Sequence, residues 1–102
     1  MELRFWKMNG AGNDFILFDN RKGSVKLEPA LVRRLCDRHR GVGADGVIAL
    51  RESEGGRADW AWEFYNSDGS SGEMCGNGAR CFARYVQRVT GWDRPVLRFE
   101  TL

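Results

Sequence analysis

A chain of 102 residues, 42% hydrophobic and 29% charged, is long enough for one domain around one modest core. Its net charge of +2 comes from interspersed acids and bases and gives no footprint for nucleic acid; no apolar run approaches a membrane span, and no signal-peptide pattern opens the chain. The cysteines number three, an odd count with no zinc-type spacing and a single histidine beside them, so no metal is expected and reduced thiols in a cytoplasmic setting fit best.

Leu3 to Met8 reads as a strand and Asp14 to Asp19 as a second, joined by the glycine-permitted connection Asn9-Gly10-Ala11-Gly12-Asn13. Pro29 suits the first turn of a helix. Leu31, Val32 and Leu35 give that helix an apolar stripe to about Arg38, and Gly41 stops it. Arg33, Arg34, Arg38 and Arg40 read as a solvated helix face, and His39, in the last turn, as structural. Gly41-Val42-Gly43-Ala44-Asp45-Gly46 spells the dinucleotide fingerprint GxGxxG. That motif needs a strand before it and a helix after it. Here the order is reversed, so it reads as a helix stop and turn.

Gly46 to Leu50 is a short apolar strand, and Glu52 to Arg57 a polar loop. Asp59 to Asn66 alternates with period two, putting Trp60, Trp62 and Phe64 on one face and Ala61, Glu63 and Tyr65 on the other. Asp68-Gly69 signals a turn. A second helix runs from about Asn77 to Val89, burying Ala79, Phe82, Ala83 and Val86, with Gly91 as its stop. Val96 to Thr101 is a last strand, and the chain ends inside that pattern: the strand lies at an edge, or the chain is a piece of something longer. The order and the short links predict an α+β fold, a curled, mostly antiparallel sheet around a central apolar helix.

The chemistry concentrates in the run from Asn66 to Cys81, where Cys75 stands between a glycine-rich turn and the second helix. A thiolate, not a thiol, is the base and nucleophile, and the unpaired N–H groups and positive dipole end of a helix start favour the anion. Gly76 and Gly78 remove Cβ atoms from the approach to the backbone, so the N–H groups of Gly76 and Asn77 could face a carboxylate. An arbitrary free cysteine is more often a small buried hydrophobe; the bare, polar flanks reverse that preference for Cys75. Cys81 points about 120° away around the helix, roughly 9 Å further along it. It reads as core, as does Cys36 beside Leu35. Asn13 and Asn66 stand at strand ends beside turns, where asparagine most often serves the turn itself.

Three segments together resemble the diaminopimelate epimerases: Lys7 to Phe15, Arg38 to Gly46, and Asn66 to Cys81 with its Met-Cys-Gly-Asn-Gly-Ala-Arg-Cys core. The resemblance implies a cofactor-independent enzyme of lysine and cell-wall precursor biosynthesis that interconverts LL- and meso-diaminopimelate. It implies two cysteines on opposite faces of the substrate α-carbon, one removing a proton as thiolate and the other returning one as thiol. Carried over, Cys75 is one of that pair, Gly76 and Asn77 bind the carboxylate through their N–H groups, and Asn13 and Asn66 line the substrate site. Some members place a substrate-contacting glutamine where this chain has Gly46, so that contact is not carried over.

The family closes two similar domains over its substrate, each giving one cysteine from a helix start. This chain resembles the first domain alone, a single unit over residues 1–102 with the C-terminal half and its partner cysteine absent. Little epimerase activity is expected of it in isolation. A second copy pairing as the two halves do would bring the Cys75 thiols face to face in a homodimer. The other readings are a related two-cysteine racemase, and a non-catalytic anion-binding module with Cys75 as a redox switch.

Overall fold

The computed structural model describes residues 2–72 and 75–102. Five strands form one sheet in the order β1-β2-β3-β4-β5, with β1 at Trp6–Gly10, β2 at Asn13–Asp19, β3 at Gly46–Arg51, β4 at Trp60–Asn66 and β5 at Phe99–Thr101. Two helices accompany them, α1 at Pro29–Cys36 and α2 at Gly76–Thr90. The α+β class and the order of elements are as expected. The sheet is mixed and open. Hairpin-type links make β1–β2 and β3–β4 antiparallel over five and six residue pairs, while β2–β3 and β4–β5 are parallel over five and three. The two parallel pairs are those whose link carries an α-helix, because a parallel return needs a crossover of a dozen or more residues.

Alternation along the strands sorts the core into two layers. Phe15, Leu17, Ile48, Leu50, Trp62 and Phe64 face α2 and meet its Cys81, Phe82, Tyr85 and Val86. Ile16, Phe18, Val47 and Ala49 face the other way, against Val32 and Cys36 of α1. Helices therefore cover both faces, which is why β2 and β3 read as nearly continuous apolar runs. Trp62 anchors the α2 side, with ring centroids 5.2 Å from Phe64, 5.5 Å from Phe82 and 4.8 Å from Phe99. Burying a side chain of this size contributes roughly 2–3 kcal/mol.

The first helix is shorter than its stripe suggests. It ends at Cys36, because the Asp37 carboxylate accepts the N–H groups of His39 at 2.8 Å and Arg40 at 3.1 Å and turns the chain away. His39 is thus in an exposed turn beyond the helix, not in its last turn. Gly41 does help to stop α1, by close approach: a Cβ on it would stand 2.0 Å from the carbonyl oxygen of Arg34. The freed helix carbonyls are capped from the following turn, Leu35 by the N–H groups of Val42 and Gly43 and Cys36 by that of Ala44. The GxGxxG stretch is indeed a helix stop running into a strand.

Candidate active site

The strand directions decide where the motif gathers. β2 and β3 start, and β1 and β4 finish, at the same end of the sheet: Gly10 pairs with Asn13, and Gly46 pairs with both Phe15 and Asn66. The β1–β2 turn needs left-handed backbone at both of its residues, Ala11 at φ 50° and Gly12 at φ 102°. Beyond β4 the Asn66–Ser70 turn reverses the chain, Ser71 bridges back to Tyr65, and the Gly72 N–H donates to the Phe64 carbonyl at 2.7 Å. That return delivers residue 75 to the same end, where α2 begins; Glu73 and Met74 of the motif lie outside the described residues.

Cys75 caps α2. Its backbone is extended, at φ −129° and ψ 118°, its carbonyl accepts the Ala79 N–H at 2.8 Å, and its Sγ accepts the Gly78 N–H at 3.5 Å. A thiol thus fills the position usually held by serine or aspartate. The helix start agrees with the sequence reading to one residue, and Gly91 at φ 76°, donating its N–H to the Gln87 carbonyl at 3.0 Å, closes the other end. Among the described residues the N–H groups of Gly76 and Asn77 have no acceptor. A Cβ on Gly76 would meet nothing within 4 Å, so that backbone is open.

Gly78 has a different job. It is buried, and a Cβ on it would come within 3.3 Å of Ile48 Cδ1, so its bareness lets α2 settle on the sheet and does not admit a ligand. Gly10 does the same from the opposite side, where a Cβ would stand 2.9 Å from the Asn77 carbonyl oxygen and 3.0 Å from Cys81 Sγ. Gly46 has no spare room either: a Cβ would lie 2.8 Å from the Tyr65 carbonyl oxygen and 2.9 Å from the Phe64 ring.

Asn13 and Asn77 meet, which the sequence did not reveal. Asn77 Nδ2 donates to Asn13 Oδ1 at 2.8 Å, Arg80 Nη1 donates to Asn77 Oδ1 at 3.2 Å, and Asn13 Nδ2 donates to Asp45 Oδ2 at 3.3 Å. Both amides have their oxygens engaged, and what each retains is an N–H. Together with the N–H groups of Gly76 and Asn77, which have no acceptor among the described residues, these spare amide hydrogens gather donors at a helix start, an arrangement that suits a carboxylate. Asn66 stands at the same sheet end but stays in its own turn: its amide nitrogen donates to Ser70 Oγ at 3.1 Å and its backbone N–H to the Ser70 carbonyl at 2.8 Å.

Behind the amides lies an ion network that the sequence reading passed over. Arg38 forks onto Asp14, at 3.0 and 2.9 Å, and reaches Asp45 at 3.4 Å, while Lys7 Nζ lies 3.1 Å from Asp14. The two acids also hold each other's backbone: the Asp14 N–H donates to Asp45 Oδ2 at 3.0 Å, and the Asp45 N–H to Asp14 Oδ1 at 3.1 Å. The Arg38 fork, aided by Lys7, keeps the Asp14 carboxyl far below the usual carboxylate range against the opposing cost of burial. Arg38 is therefore not part of a solvated helix face; ending α1 early frees it for this role. The available signal was an acid directly ahead of two apolar strands, each preceded by a glycine-bearing turn.

The other two thiols are buried. Desolvation pushes Cys36 up to about 11 and raises Cys81 above its ordinary value. Both belong to the core, as expected.

The family model for diaminopimelate epimerase matches residues 5–101. The chain belongs to the diaminopimelate epimerase family. Over its whole length it is 47% identical to the diaminopimelate epimerases of Acidovorax ebreus and Nitrosospira multiformis and 48% identical to that of Synechocystis. It spans about a third of those family members, covering 35%, 36% and 37% of their respective lengths. Among the described residues no helix is long and apolar enough to cross a membrane.

Proposed function

We propose that this chain supplies one catalytic half of an epimerase that converts LL- to meso-diaminopimelate, with Cys75 as one of two acid–base cysteines. The observation that carries the reading is the group of N–H donors beside the capping thiol. The substrate carboxylate at the reacting centre is held by the N–H groups of Gly76 and Asn77 and by the amide of Asn13. Asn66 lines the rim of the substrate site from the same end of the sheet. Sγ of Cys75, as thiolate, removes the α-proton; the fixed donors stabilise the charge that develops next to the carboxylate. A thiol outside this chain returns a proton to the opposite face.

The chain is the amino-terminal domain of such an enzyme, acts in the cytoplasm, and has little or no epimerase activity alone. The rest of the site comes from a C-terminal domain or from a second copy. A second copy predicts a Cys75-linked homodimer after mild oxidation, lost in Cys75→Ser; a monomer at high concentration under both conditions removes that option.

The functional test joins residues 1–102 to the remaining part of the Acidovorax ebreus protein. The joined protein epimerises LL-diaminopimelate, and Cys75→Ser lowers kcat by at least about 100-fold, the range of a lost general acid–base group. Turnover of another amino acid in place of diaminopimelate would move the reading to a related racemase. Turnover untouched by Cys75→Ser would remove Cys75 from the acid–base pair, and no turnover by the joined protein would leave the anion-binding or redox module.

A further inference from the structure

We infer that Asp45 is a positioning residue that fixes which way the Asn13 amide faces, and so makes the cradle select an anion. The inference deepens the carboxylate-binding reading above and rests on it.

An asparagine amide can present either its oxygen or its nitrogen, and near a carboxylate the two choices have opposite signs. Asn13 lies between Asn77 and Asp45. Asn77 Nδ2 donates to Asn13 Oδ1, a bond the opposite amide orientation would replace with two facing donors. Asn77 is itself held that way round, because its Oδ1 accepts from Arg80. On the other side Asp45 Oδ2 already accepts the Asp14 N–H and takes the Asn13 Nδ2 hydrogen, a place where the Asn13 oxygen would meet a second acceptor.

Asp45 in turn is held from two sides. Its Oδ2 also accepts the Asp14 N–H, its Oδ1 faces Arg38, and Arg38 is forked on Asp14. The second Nδ2 hydrogen of Asn13 is left for the ligand. A negatively charged side chain thus favours the binding of a negative ligand, by orienting a neutral amide between them. Coulomb's law alone gives the opposite sign for Asp45, which makes the inference testable.

The probes are iodoacetate and iodoacetamide, reacted with Cys75 of the 102-residue chain. In both, sulfur displaces iodide from a carbon attached to the group being compared: the S–C bond forms, the C–I bond breaks, and iodide leaves. The ratio of the two rates, set against glutathione as a free-thiol reference, reports anion capture beside the thiol whether or not the chain turns over any substrate. The wild-type ratio exceeds that of glutathione, and Asp45→Ala lowers it by about tenfold or more, the size of one lost bond to a charged group. Asp45→Asn, which keeps an acceptor oxygen for Asn13 and the Asp14 N–H, holds the ratio near wild type. In an Asn13→Ala background, Asp45→Ala has no further lowering effect.

A ratio that rises in Asp45→Ala means that only the charge of Asp45 matters, and overturns the inference. A wild-type ratio equal to that of glutathione overturns the carboxylate cradle itself. Should Asp45→Ala fail to fold, the wild-type amide spectrum decides: one Asn13 Nδ2 proton exchanges slowly and its partner fast, whereas two equally fast protons contradict a fixed orientation.

Discussion

Cys75 differs from the other two cysteines by position rather than by type. Its sulfur accepts an N–H at the first turn of α2, while Cys36 and Cys81 are buried among apolar side chains. Alkylation of the folded chain at neutral pH is therefore expected to label one thiol, mapped by mass spectrometry to Cys75, and three once the chain is unfolded. Asp14 carries a pH dependence. Its folded-state value is depressed, so the unfolded chain binds the extra proton first. The stabilisation is complete above about pH 4 and is lost as pH falls through the lower folded value. Denaturant titrations below pH 5 should show a shallower loss of stability in Asp14→Asn than in wild type. The place of Cys75 at the start of α2 was legible because a glycine-punctuated turn leads there into an amphipathic helix. The Asn13–Asn77 pair was not, since the contact spans 64 positions. Asn66 has its amide nitrogen spent within its own turn, the use most common for the residue.

At the scale of elements, α2 was the most legible feature. Its apolar stripe, its cap and its glycine stop all point to one helix, and its bounds were read to within one residue at each end. The left-handed Gly91 makes that stop specific: Gly91→Ala should cost about 1 kcal/mol in a denaturant melt, the penalty of a Cβ in that conformation. The docking of α2 on β1 is tighter still. A Cβ at Gly10 meets the backbone oxygen of Asn77 as well as Cys81 Sγ, so Gly10→Ala should destabilise by about 1–3 kcal/mol and disturb the cap. The end of α1 was misread for a local reason: periodicity continues to Arg38, but one Asx turn at Asp37 outweighs it. Parallel pairing was likewise hidden, because short apolar strands carry no label for their direction.

The whole molecule is an open sheet with helices on both faces, and its turn-rich end gathers the thiol, the N–H groups that start α2 and the paired amides. That end is also where β1 and β2 are locked to α2, so the site's geometry is inherited from the core instead of from a flexible loop. A chain spanning about a third of its relatives carries one such end. The proposed chemistry needs two thiols facing each other across one carbon. The direct test follows deuterium from heavy water into the α-carbon of LL-diaminopimelate, with the 102-residue chain alone and joined to the remainder of a relative. The account predicts deuterium incorporation with inversion by the joined protein, abolished by Cys75→Ala, and none with inversion by the chain alone. Efficient inversion by the monomeric chain, or incorporation by the joined protein that survives Cys75→Ala, would contradict it.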